Sequence, residues 1–161
     1  MMNMRNQTRS PRTQGGVYAI EFAFVFLITF ALVYIVICYG LLLTMRLGIQ
    51  NAAEDGARAG LRYQLTQGER ETEAGDVAEQ HSNWLPNTLK ANRDIEATVC
   101  TAVGNNCEGT VVCGPEWASR CQIVVTITVG ELGQFLPPFP GFALPDRIVG
   151  KAGMLLDGRS S

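Results

Sequence analysis

The sequence predicts an α+β fold: a long N-terminal transmembrane helix continuing into a small extracytoplasmic domain with a second amphipathic helix and a small antiparallel sheet. Three observations predict it. From Phe22 to Met45 the chain runs 24 residues without Asp, Glu, Lys or Arg. From Ile95 onward the hydrophobic period changes from helical to alternating. Cys100, Cys107, Cys113 and Cys121 form an even cluster away from the apolar run. The 161 residues are 47% hydrophobic and 17% charged, too apolar for a disordered chain and long enough for about one domain. The net charge of −2 supplies no basic field for direct nucleic-acid binding. With His81 as the only histidine, neither a metal or other cofactor nor an enzymatic activity is expected.

The first element is the apolar run, FAFVFLITFALVYIVICYGLLLTM over residues 22–45. As a helix it extends about 36 Å at about 1.5 Å per residue, enough to cross a hydrocarbon core of about 30 Å. A buried core helix would show periodic polar positions, which are missing. A cleaved secretory signal would have a shorter apolar stretch followed by a small-x-small site, and neither fits. The run is therefore read as a retained single-pass anchor in contact with membrane lipid. Flanking charge does not orient it, because Arg5, Arg9 and Arg12 on one side balance Arg46, Arg58 and Arg62 on the other. The cysteines break the tie. An even local set suits two disulfides, which persist in oxidising compartments, and the C-x6-C-x5-C-x7-C spacing lacks the close pairs usual in zinc sites. Zinc ligation and free thiols are the less favoured alternatives. The N-terminus is thus expected in the cytoplasm and the C-terminal domain outside, with disulfide connectivity left open among three pairings.

Immediately before the run stands Gln14-Gly15-Gly16-Val17-Tyr18-Ala19-Ile20-Glu21-Phe22, a basic leader ending in glycine with one acid five residues later. This arrangement resembles the class III signal of type IV pilin-like proteins, in which prepilin peptidase cuts after the glycine. The resemblance implies that residues 1–16 are a cytoplasmic leader that is removed, with Gly16 its last residue and Val17 the new N-terminus. Glu21 can be argued independently, since a carboxylate buried in a membrane helix costs about 2.5–3.5 kcal/mol and calls for a partner. In a filament of packed helices, the new ammonium of Val17 on a neighbouring subunit supplies one, and the pair sets the stagger between subunits. The alternative is a glutamate that only marks the membrane edge.

Beyond the run, Gln50-Asn51-Ala52-Ala53-Glu54-Asp55-Gly56-Ala57-Arg58-Ala59-Gly60 resembles the Q-N-A-A-x-x-G-A-R-A segment of the TadE-like family, minor pseudopilins of tight-adherence (Tad/Flp) pili. The likeness covers roughly residues 10–62. It is weaker over 121–156, where Lys151-Ala152-Gly153-Met154 is followed by Leu155 and not the arginine frequent in the family. The family implies as partners prepilin peptidase, other pilins and pseudopilins, and the inner-membrane assembly platform. It implies a bacterial inner-membrane protein with a periplasmic domain, serving assembly of a pilus used in adhesion and surface colonisation.

Gly40, Thr44, Gly48, Ala52, Gly56 and Gly60 recur every four residues, a row that winds slowly round a helix. Such a groove lets another helix approach closely. Residues 17–45 are accordingly read as the membrane helix and 46–65 as its extension packing on partners, with helix expected from about Val17 to Arg62. Glycines that merely end the helix are the alternative, weighed against Ala52, Ala53, Ala57 and Ala59, good helix formers, and an i,i+4 pair of Glu54 with Arg58.

The remaining residues, 66–161, are the expected α+β domain. Gly68 is taken to separate off a second helix whose apolar stripe is Ala74, Val77, Ala78, His81, Trp84 and Leu85, stopped by Pro86. His81 is expected as a packed core residue, and Glu69, Glu71, Glu73, Asp76 and Glu79 as a solvated face. Ile95, Ala97 and Val99 alternate as a half-buried strand, Gly104-Asn105-Asn106 signals a turn, and Thr110–Cys113 reads as a brief returning strand. Gln122–Val129, rich in β-branched residues, is the firmest strand, and Arg147–Leu156 the last. Between them Phe135–Phe142 is a proline- and phenylalanine-rich loop whose rings are expected to tuck under the sheet more readily than to form a contact surface. Two function classes remain: a cleaved assembly component, and an uncleaved single-pass anchored binding or sensor domain.

Overall fold

A computed structural model describes residues 15–62, 64–104, 107, 111–134 and 145–156. The leader with Arg5, Arg9 and Arg12, the turn residues Asn105 and Asn106, Thr110, and the loop Phe135–Phe142 lie outside the described residues. The chain divides into two compact units, 1–39 and 40–161. Helix α1 (Gly15–Ala59) contributes to both.

In the first unit every described residue is helical, and nearly all of its large apolar side chains are exposed, Phe22 and Val36 each by 70%. Spacing of four residues stacks Phe22 on Phe26, Phe26 on Phe30 and Phe30 on Tyr34, with centroids 6.1, 6.1 and 6.5 Å apart. A helix this long, apolar and uncovered is compatible with a single-pass membrane anchor.

In the second unit the end of α1 is joined by α2 (Gln67–His81), the short α3 (Asn87–Ala91), and strands β1 (Arg93–Thr101), β2 (Cys121–Gly130) and β3 (Arg147–Leu155). The strands form one antiparallel sheet in the order β1-β2-β3. Central β2 is the most apolar strand because both its edges are paired, and Ile123, Val125, Ile127 and Val129 are fully buried. Around them pack Leu42, Met45, Ile49, Ala53 and Ala57 of α1, Ala74 and Ala78 of α2, and Ile148 and Ala152 of β3. β3 comes so close to α1 that a Cβ on Gly150 would lie 2.8 Å from Ile49 Cγ2, so only glycine fits there.

Several expectations need correction. α1 ends at Ala59 and not Arg62, tightening into turns in which Leu61 N–H bonds to Arg58 O and Arg62 N–H to Ala59 O. Gly68 lies inside the first turn of α2, because Thr66 caps that helix. The Thr66 hydroxyl accepts from Glu69 N–H and the Glu69 carboxylate accepts from Thr66 N–H, both at 3.2 Å. α2 stops at His81, where buried Ser82 bonds back to the Ala78 carbonyl at 2.7 Å, so Trp84 and Leu85 are not helical. His81 is exposed, with Nδ1 2.8 Å from Asp55 Oδ2. The seam between α1 and α2 is lined by glycine and alanine, which leaves room for an imidazole only at its rim. The acidic face is not simply solvated: Glu71 accepts from Val99 N–H at 2.8 Å, Glu73 pairs with Arg62 at 3.5 Å, and Glu79 with Arg93 at 2.8 Å. Residues 111–113 are not strand, since β2 itself pairs directly with β1. α3 was not anticipated; it covers the core with buried Leu89.

Candidate functional site

The helix start comes first. Gly16 is exposed and a Cβ there would meet nothing within 4 Å. Val17 follows in α1, and Glu21 stands exposed one helical turn further on, between Ile20 and Phe22. Among the described residues no ion pair involves Glu21, and the next charged residue along the chain is Arg46. Glu21 is thus an exposed carboxylate at the start of the apolar helix, followed by 24 residues without a charge.

The row of small residues divides in two. Gly40 has open space at its Cβ position, and the Thr44 hydroxyl folds back onto the Gly40 carbonyl at 2.8 Å. From Gly48 onward the groove is filled by the chain itself. The Trp84 ring occupies the place of a Gly48 side chain. A Cβ on Gly56 would lie 2.7 Å from the Ala74 carbonyl oxygen and 2.8 Å from Ala78 Cβ; one on Gly60 would lie 2.6 Å from Ile123 Cδ1. Ala52 between them is buried. The close approach expected for a partner is thus made, over Gly48–Gly60, by α2, β2 and the turn after α2.

Gln50, which opens the Gln-Asn-Ala-Ala motif, reaches a residue 101 positions away. Its Nε2 donates to the Lys151 carbonyl at 3.0 Å and its Oε1 accepts from Lys151 N–H at 3.1 Å, so one side chain substitutes for a neighbouring strand on β3. Ala53 and Ala57 fill the core, and Arg58 lies near Glu54 and Asp55 at 3.9 and 3.7 Å on the exposed side. Gln50, Ala53, Ala57 and Arg58 of the motif therefore each have a packing or pairing task, while Asn51 is exposed.

The end of α1 is held by Arg70, which sequence reasoning missed. Its side chain is buried, and Nη1 donates to Gly60 O at 2.6 Å and Arg62 O at 3.4 Å. These carbonyls lie in the turn just past the C-terminal end of α1, where charge-assisted hydrogen bonds satisfy the buried guanidinium. The available signal was an arginine four residues after the Thr66 cap, on the side of α2 that also presents Ala74.

The four clustered cysteines form Cys100–Cys107 and Cys113–Cys121 disulfides, and Cys38 is free. Cys100 lies near the end of β1 and Cys121 opens β2, so the two bridges clamp the two roots of the 102–120 connection.

Residues 16–58 match a family model described as TadE-like protein. No curated protein and no solved structure matches the chain. The match begins at Gly16 and ends one residue before α1 does, taking in Glu21, the apolar rod and the whole Gln50–Arg58 motif. Over residues 16–58, 43 of its 161, the chain is similar to the TadE-like family.

Proposed function

We propose that this chain is a TadE-like minor pseudopilin, cut by prepilin peptidase between Gly16 and Val17 and required to assemble a Tad/Flp pilus for adhesion and surface colonisation. The observation that carries the reading is the coincidence, within one helix, of an unobstructed Gly16, a lone Glu21 and an uncovered apolar rod, matched to the family from Gly16 onward. The helix remains in the inner membrane with the disulfide-bonded domain on the periplasmic side. Sibling pilins and pseudopilins and the assembly platform then pack on that helix.

In this scheme the protein performs no chemistry of its own. Cleavage creates an ammonium at Val17, and Glu21 of one subunit pairs with that ammonium on another. In a low-dielectric setting an unpaired charge is costly, so the pair selects one axial register over slipped ones.

The test is the mass of the protein expressed with an active prepilin peptidase. The mature chain begins at Val17, and Gly16→Ala retains the leader. A full-length product from the wild-type chain overturns the reading in favour of an uncleaved anchored domain.

A further inference from the structure

β1 is an edge strand with a partly open edge. Asn92 accepts from Gly130 N–H, and Ala102 N–H donates to Arg120. Even-numbered residues of β1 therefore point their backbone groups at β2, and odd-numbered ones point them outward. The outward N–H of Val99 is taken by Glu71. The outward groups of Ile95 and Ala97 have no partner among the described residues. They open into a groove of about 360 Å³ between β1 and α2, bordered also by Glu71, Gly75, Asp76 and Glu79.

Gly75 adds an independent argument. Glycine inside a helix costs about 1 kcal/mol relative to alanine. Gly56 is explained by the carbonyl of Ala74 pressed against it, but a Cβ on Gly75 would meet nothing within 4 Å. Nothing described in this chain needs a glycine there, and the effect of having one is to keep the groove wide.

We propose that this groove receives an extended, basic segment of a partner protein, which adds to β1 as a fourth strand. Free backbone donors and acceptors at Ile95 and Ala97 recognise another peptide backbone, as in other cases of strand addition. Glu71 and Asp76 on the facing helix select lysine or arginine on the incoming strand, while Glu79 is already paired with Arg93. A second copy of this chain is a poorer occupant. Its β3 does carry Arg147 and Lys151, but Gln50 already holds the outward groups of Lys151. The proposal does not depend on leader cleavage and fails separately from it.

The test uses the full chain in detergent micelles with a short capped peptide alternating valine and lysine, and a valine–glutamate peptide as control. Binding of the lysine peptide slows amide exchange at Ile95 and Ala97 by about tenfold or more. Asp76→Lys weakens binding about tenfold at low salt, as expected for reversing one charge near the strand. Gly75→Leu abolishes it while the fold melts no lower than wild type, since leucine is the better helix former. The proposal is overturned by no binding, by equal binding of the glutamate peptide, by unchanged exchange at Ile95 and Ala97, or by wild-type affinity in Gly75→Leu.

Discussion

The guanidinium of Arg70 closes the C-terminal end of α1 by donating to the Gly60 carbonyl at 2.6 Å from a site only 5% exposed. Removing it leaves the buried Gly60 carbonyl without this donor, which costs more than the net worth of the bond. Arg70→Leu is expected to destabilise the 40–161 unit by about 2–4 kcal/mol, read from denaturant unfolding by tryptophan fluorescence. Arg70→Lys recovers part of this, because an ammonium reaches one carbonyl but not both.

Two glycines in the helices should respond oppositely to the same change. Gly56→Ala gains about 1 kcal/mol of helix propensity but drives a methyl group to within 2.7 Å of the Ala74 carbonyl, and overpacking of this kind costs about 1–3 kcal/mol. Its net effect is destabilising. Gly75→Ala meets no such contact and raises stability by about 0.5–1 kcal/mol. Thermal melting of the two variants in parallel checks the sign of each.

Gln50→Leu deletes both hydrogen bonds to Lys151 and uncovers the outer edge of β3. Water replaces much of what is lost at this exposed position, so the expected cost is about 1 kcal/mol. The sharper effect is local, with faster amide exchange at Lys151 and no change at the β1–β2 ladder.

Non-reducing peptide mapping should return the Cys100–Cys107 and Cys113–Cys121 pairs and an unpaired Cys38. The loops they close are short, with separations of 7 and 8 residues, so each contributes about 2–3 kcal/mol by restricting the unfolded chain. Joint replacement of Cys113 and Cys121 by alanine lowers the midpoint of unfolding accordingly.

Glu21→Leu should be processed at Gly16 as in wild type, since cleavage does not require the carboxylate in the proposed scheme. Pilus assembly, scored by immunoblotting of sheared filaments, is expected to fail. Normal piliation in this variant removes the proposed role of the charge pair.

Much of the architecture was legible because it is written in single segments. An absence of charge over Phe22–Met45 reports a helix with no need of water, whatever else the chain does. Alternation in Ile95–Val99 and the β-branched run in Gln122–Val129 report strands for the same local reason, and both fall inside observed strands. The cap of α2, Thr66 with Glu69, is also a local pattern, but the boundary expected at Gly68 passes over it and falls inside the helix.

Periodicity reports which residues lie on one face of a helix but not what that face meets. Gly48, Gly56 and Gly60 announced a close approach, and the chain's own Trp84, Ala74 and Ile123 make it. His81 lay on an apolar stripe by spacing, yet the early end of α2 and the narrow seam left it paired with Asp55 at the surface.

The amino-acid sequence by itself determined the apolar helix, the existence of the strands and the clustering of the cysteines, because hydropathy and backbone preference act within a few neighbouring residues. Only the tertiary structure decided which cysteines join, that Arg70 caps α1, and that Gln50 completes β3. These depend on short-range contacts between residues far apart along the chain, and folding alone brings them within hydrogen-bonding distance.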